Sequence, residues 1–160
     1  MHPYHMTKKE REIKDPQVIK EILKQGKYIV IALCRNSEPY LVTLSYGYDE
    51  PGNALYFHAG NKGLKLDFVR QNSSACCTII EDLGYKKDEC AHAYRSLVLW
   101  GKITIVEDLQ EKKKGMDVLF HHLEEHPGPI RDRTLNNNAA YNAITIMKLE
   151  IDHMTGKQGQ

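Results

Sequence analysis

The sequence predicts a mainly β, α+β domain: a six-stranded antiparallel barrel with two or three flanking helices. Three observations carry this. Apolar, β-branched runs recur at short spacing and are bounded by turn residues. Helical periodicity is confined to a few segments. At 160 residues and 18.4 kDa, the folded chain should expose about 8,200 Å² against about 26,700 Å² unfolded, which suits one core and not two unstapled domains. Residues 1–160 therefore read as a single domain, with 1–14 an N-terminal arm and 152–160 a C-terminal tail.

The elements follow in order. Asp15 and Pro16 combine an N-cap with proline at the first helical position, Val18, Ile19, Ile22 and Leu23 share a face, and Gly26 supplies a stop. Residues 28–34 (YIVIALC) form a buried strand, 35–39 a turn, and 40–48 a second strand. The DEPGN turn leads to a third strand at 54–59, so short loops make the first three strands an antiparallel meander. Leu64 and Phe68 mark a short helix closing near Asn72. The fourth strand is 74–80, a charged loop spans 83–90, and the fifth strand is 94–106, with a bulge or bend at Gly101. Residues 108–122 form a helix with apolar Leu109, Met116, Leu119 and Phe120, and Leu123 just beyond. A loop at 126–138 precedes the last strand, marked by Ile144, Ile146, Leu149 and Ile151, whose alternation slips after Met147. Closing six strands into a barrel removes exposed edges.

Composition excludes several classes of function. Lysine plus arginine is 22 and aspartate plus glutamate 21, a net +1, so there is no broad basic footprint for nucleic acid. No apolar run approaches the ~18 residues of a membrane span. The start, MHPYHMTKKEREIKD, lacks the apolar core of a signal peptide, and a cytoplasmic location is expected. Cys34, Cys76, Cys77 and Cys90 show no CxxC spacing and read as reduced thiols, with Cys76 and Cys77 on opposite strand faces.

The segment with most chemical content is YFHAGNKGLK, residues 56–65. A strand enters a glycine turn and then a helix start, with Lys62 and Lys65 on its first turn. Free N–H groups and the positive helix end make an anion site of phosphate size. On spacing alone, a solvated basic helix start is the preferred reading, since lysines usually face water. His58 precedes the turn; Phe57 and His58 point to opposite faces, so one faces the core and the other a cleft or solvent, with a structural histidine as the alternative. His122 and His126 have a zinc-compatible spacing beside His121, but HHLEEH is not HExxH and Pro127 breaks the helix, so no metal is expected. No Ser/His/Asp order, carboxylate pair, P-loop or dinucleotide fingerprint is present.

Four stretches, EPYLVTLSYGYD (38–49), ALYFHAGNKGLKLD (54–67), YRSLVLWGKI (94–103) and MTGK (154–157), resemble the FMN-binding split β-barrel superfamily. That superfamily includes the pyridoxamine 5′-phosphate oxidases, and the likeness is greatest to its nitroimidazole-resistance branch. The resemblance implies a six-stranded antiparallel split β-barrel of Greek-key order and a homodimer with FMN at the subunit interface. It implies Thr43, Leu44 and Ser45 beside the isoalloxazine, and His58, Ala59, Lys62, Gly63 and Lys65 around the ribityl chain and phosphate. It adds Arg95 and Ser96, and closure by Thr155, Gly156 and Lys157. Gly63 and Leu64 stand where the family has hydroxyl or arginine contacts, leaving more of the phosphate to backbone N–H groups. Pyridoxamine phosphate oxidases carry substrate-binding cations on the second strand and a C-terminal tryptophan. Here that strand reads YLVTLS and the only tryptophan is Trp100, which argues against vitamin B6 oxidation. The implied activity is an oxidoreductase passing electrons from a reduced donor, such as a nicotinamide, through FMN to a small acceptor such as a nitroaromatic. His58 is the candidate catalytic residue for proton delivery. The alternative is a non-catalytic flavin-binding or sensing protein. Tyr94, Leu97 and Leu99 are the expected dimer surface.

Overall fold

The computed structural model describes residues 6–159. After a 3-10 turn at Lys9–Arg11 the elements are β1 (Glu12–Ile13), α1 (Pro16–Gln25), β2 (Tyr28–Arg35), β3 (Glu38–Ser45), β4 (Gly47–Asp49) and β5 (Ala54–Ala59). Then come α2 (Leu64–Gln71), β6 (Ser74–Lys86), β7 (Ala91–Ile105), α3 (Leu109–Leu123), α4 (Pro127–Thr134), α5 (Asn138–Asn142) and β8 (Thr145–Gly159). Asp15 caps α1 by accepting a hydrogen bond from the Gln17 N–H at 2.8 Å, and Asp108 caps α3 through the Glu111 N–H.

One antiparallel sheet runs β3-β2-β6-β7-β8-β5-β4. Strand β8 pairs along its length with β7, while its other edge takes β5 first and then β1 at Gly156 and Lys157. The two ends of this path, β3 and β4, are separated in sequence by Tyr46 alone. Laid flat, seven strands would hold those ends about 29 Å apart, and one residue spans only about 3.5 Å. The sheet therefore curls until its ends meet. No ladder joins β3 to β4 or β5, so the barrel is split at that seam.

Among the described residues the sheet has eight strands rather than the expected six. The segment 40–48 breaks at Tyr46, which is fully buried and donates its hydroxyl to the Leu23 carbonyl oxygen at 2.8 Å, and β1 adds a short edge. The expected meander holds in part: β3 pairs with β2, and the end of the segment 40–48, now β4, pairs with β5, whose other edge pairs with β8. The charged segment 83–90 is largely a hairpin arm, with β6 and β7 paired as far as Lys86 and Ala91. Local charge marks this arm as exposed, but strand pairing satisfies its backbone. Pro127 ends nothing by itself: it starts α4 inside the expected loop, as proline at a first helical position can. The expected tail is strand over 152–159, and part of the expected arm is β1.

The slip after Met147 and the glycine at 101 are one feature. Trp100 pairs with His153 and Gly101 with Ile151, so Asp152 is the extra residue of a bulge. A Cβ at Gly101 would collide with the Glu150 carbonyl oxygen. Gly101→Val is expected to lower stability by about 3 kcal/mol, because backbone crowding cannot be relieved by a rotamer change. Urea denaturation measures it; a loss under about 1 kcal/mol would contradict this packing.

Two apolar clusters flank β5, which is buried on both faces from Ala54 to Phe57. Leu55 and Phe57 face the barrel interior with Ile29, Ile31, Leu97 and Leu99. Tyr56 faces outward under α3, against Met116, Leu119, Phe120 and Ile146. By the two-residue period of a strand, His58 follows Tyr56 toward α3.

Candidate functional site

The phosphate-like turn is built at the end of β5. Gly63 has φ of 138°, a conformation that a side chain would strain, and no side chain caps the α2 N-terminus. The Leu66 N–H bonds the Gly63 carbonyl at 3.0 Å, leaving the first turn of α2 facing outward. Only the Lys65 ammonium lies within 4 Å of the position a Gly63 Cβ would take, at 3.8 Å, and nothing lies that close to Gly60. Among the described residues, neither Lys62 nor Lys65 has an ion-pair partner. Lys62 is exposed and Lys65 half-buried. The cradle thus combines an open glycine backbone, an uncapped helix end and two unpaired cations, which together fit a phosphate group.

Asn61, not identified from the sequence, anchors this turn. Its amide donates to the Ala143 carbonyl at 2.7 Å, and its Oδ1 accepts from the Thr145 hydroxyl at 2.9 Å. Its signal was only the turn-forming character of asparagine, because both partners lie over eighty residues away.

His58 stands beside the turn at the mouth of a cavity of about 300 Å³, with Ser45 across the barrel seam. Partial burial, with a smaller contribution from the Lys65 charge, lowers its pKa below the ordinary imidazole value. Helix α3 closes the opposite wall with Met116, Leu119, Phe120 and Leu123, and Glu124 follows at its end. The sequence showed that apolar stripe; its meeting with His58 required the tertiary fold. Ala59 is buried and holds the strand end.

On β3, Thr43 and Ser45 are exposed, whereas Leu44 packs inward against the core and offers the exterior only its backbone. Arg95 is already engaged: it pairs in two-pronged fashion with Glu81 and also reaches Glu21 at 3.4 Å. Those carboxylates hold its pKa above the ordinary value. The Ser96 hydroxyl donates to the Lys157 carbonyl at 3.4 Å. Thr155 pairs with Val98, Gly156 with Leu97 and Lys157 with Ser96. These residues lie at the end of β7 and β8 opposite to Ile105 and Met147, which neighbour the His58 end of β5. About nine residues of β7, or about 30 Å of strand, separate the two groups. In one chain the residues expected at the site therefore fall into two separate groups.

The histidines near the end of α3 have separate tasks. His121 bonds the Asp117 carbonyl at 2.8 Å, and His126 precedes α4. The His122 ring lies tilted against Tyr46, with centroids 4.8 Å apart, and donates from Nε2 to the Gly26 carbonyl at 2.6 Å, tying α3 to the end of α1. Among the described residues no group of histidine, cysteine and carboxylate side chains could hold a metal. Burial depresses the His122 pKa, against a smaller opposing effect of its hydrogen bond. The unfolded chain then takes up protons first as pH falls below about 6.5, so this stabilisation is present above that value and lost on acidification toward the folded pKa. Melting temperature is expected to fall between about pH 7 and pH 5.5, and to fall less in His122→Gln, which keeps an N–H for Gly26. Equal pH slopes in thermal denaturation followed by circular dichroism would contradict this.

A family model for pyridoxamine 5′-phosphate oxidase matches residues 15–158, from the α1 cap to the end of β8. The chain belongs to that family. No curated protein matches it. Among solved structures, a Bacteroides thetaiotaomicron VPI-5482 protein assigned to 5-nitroimidazole antibiotic resistance is 27% identical, with a TM-score of 0.75 over 92% of this chain and 86% of that one. The FAD and heme binding protein from Mycobacterium smegmatis is 17% identical, with a TM-score of 0.77 over 94% of this chain and 74% of that one. The flavocytochrome Anf3 from Azotobacter vinelandii is 16% identical, with a TM-score of 0.78 over 97% and 72%. These last two share the fold. Within the pyridoxamine 5′-phosphate oxidase family, this member has no cation on β3 between Tyr40 and Ser45. Among the described residues no helix is long and apolar enough to cross a membrane.

Proposed function

We propose that this protein binds FMN and is an oxidoreductase that carries electrons from a reduced donor to a small acceptor. The observation that carries the reading is the open Gly60–Gly63 turn, with its uncapped helix and unpaired lysines, beside His58. The resistance protein, and neighbours whose names include FAD or flavocytochrome, support a flavin and a redox role. Bound FMN would supply reversible acceptance of one or two electrons. Lys65 and Lys62, with the first N–H groups of α2, would hold the phosphate. The Thr43 and Ser45 side chains and the Leu44 backbone would flank the ring. His58, kept largely neutral near pH 7 by its lowered pKa, can exchange a proton at Nε2 or Nδ1 with a reacting molecule.

The two separate groups favour a homodimer in which the partner supplies Ser96, Thr155 and Lys157. The sheet exterior suits such a partner. Cross-strand rows run Thr43, Val30, Thr78, Val98, Thr155 and Leu41, Ala32, Cys76, Trp100, His153. Tyr28, Leu41 and Ile80 on this side are 59%, 65% and 56% exposed, an apolar surface that a second copy would cover. Leu97 and Leu99, expected in that surface, are fully buried inside the barrel, because alternation turns Val98 and Trp100 outward instead. The four cysteines are free thiols, in keeping with a cytoplasmic setting.

Anaerobic titration of the flavin-loaded protein with NADH and with NADPH tests the function. Bleaching by either, reversed on adding a nitroaromatic, is the expected result. A colourless protein that does not take up FMN would overturn the cofactor, and bound FMN untouched by both donors would favour the sensing alternative.

A further inference from the structure

The cavity beside His58 differs in chemistry from the phosphate turn. Its α3 wall is Met116, Leu119, Phe120 and Leu123, the first three almost fully buried. The polar groups in its lining are Ser45, His58 and the carboxylate of Glu124; no lysine or arginine is among them. About 300 Å³ is at the lower end of the range for small-molecule sites, which suits a single-ring ligand. We infer that this cavity seats the second substrate, and that α3 selects a small, uncharged, flat apolar molecule over its anionic counterpart. The inference rests on the flavin reading above.

Desolvation sets the preference. An anion entering an apolar pocket loses hydration, and here it meets no cation in the lining and faces Glu124. Lys65, whose charge reaches His58, stands at the phosphate turn outside the lining. A neutral ring loses little hydration, packs against Phe120 and Met116, and can share a hydrogen bond with Ser45 or His58. Phe120 and Met116 are fixed by the second core cluster, so the wall is preorganised. This also gives a reason for the missing substrate cations on β3: a phosphate-bearing substrate has no partner in the cavity.

Benzamide and benzoate differ in charge at nearly equal shape. Titrated into the FMN-loaded protein and read by calorimetry and ligand-observed NMR, benzamide is expected to bind at least ~10-fold more tightly. Leu123→Trp, from a position 37% exposed, should fill the mouth and lose benzamide at least ~10-fold with FMN affinity unchanged. Glu124→Lys, on the exposed helix end, should bring benzoate to parity and serves as an independent check if the tryptophan variant folds poorly. Equal binding of both probes to the wild type, indifference to both substitutions, or competition of benzamide with FMN would each overturn the inference. FMN affinity is measured separately by fluorescence. Failure of the wild type to bind FMN defeats the flavin reading, whereas bound FMN without preference for benzamide defeats this one alone.

Discussion

Lys65→Glu is expected to weaken binding of the proposed FMN about 100-fold. The Lys65 ammonium stands 3.8 Å from where a Gly63 Cβ would be, over the uncapped start of α2, with no competing carboxylate paired to it. Unit charges about 4 Å apart interact by about 1 kcal/mol in water and about 4 kcal/mol at the effective dielectric of a protein surface. Substituting glutamate removes attraction to the phosphate and adds repulsion, so the change doubles. A hundredfold loss, about 2.7 kcal/mol, lies toward the lower end of that range, as suits a half-buried lysine. Flavin fluorescence titration reads it. The fold should be unaffected, because Lys65 makes no ion pair that the substitution breaks. Unchanged affinity would move the phosphate away from this turn.

Val98→Asp is expected to dissociate the proposed dimer and to weaken the proposed FMN binding in the same step. Val98 lies in the middle of the row from Thr43 to Thr155, its side chain directed away from the barrel core. In a monomer the carboxylate would remain in water and cost little. Buried against a second copy it would be unpaired, costing several kcal/mol per site and about a thousandfold or more in dimer affinity. Because Ser96 and Lys157 lie far along β7 and β8 from His58, the monomer would hold half of each site. Sedimentation velocity and flavin titration should therefore change together. A monomer with native FMN affinity would refute the shared site, and a persistent dimer would refute this interface.

Much of the site was legible in the residues themselves. The turn at 60–63 and the helix start with Lys62 and Lys65 follow from local spacing, whereas the side of β5 that His58 takes was set by the fold. The structure retains that turn and holds it from a distance, since Asn61 bonds Ala143 and Thr145. The Asp15 cap and an irregularity at Gly101 were legible because each is marked by one or two adjacent residues. The strand count was not. Tyr46 reads as one more aromatic in an alternating run, and only its seat against Leu23, far away in sequence, breaks that run into β3 and β4. The hairpin arm was hidden by its charge, and α4 by Pro127 and Pro129, since composition reports exposure more faithfully than backbone pairing. The choice of Leu97 and Leu99 for the interface failed because alternation fixes that two faces exist but not which one is inside.

By itself, the sequence determined a mainly β fold, a glycine turn carrying two lysines between a strand and a helix start, and a composition without a broad basic footprint for nucleic acid. These depend on local propensity and on counts of charge. The tertiary structure decided which residues share a site. Curling the sheet through Tyr46 brought Ser45 to His58, set α3 over both, and fixed Asn61 to Thr145. It also left Ser96 and Lys157 at the far end of the strands. Such meetings depend on register and closure, which arise only when every strand has found its partner.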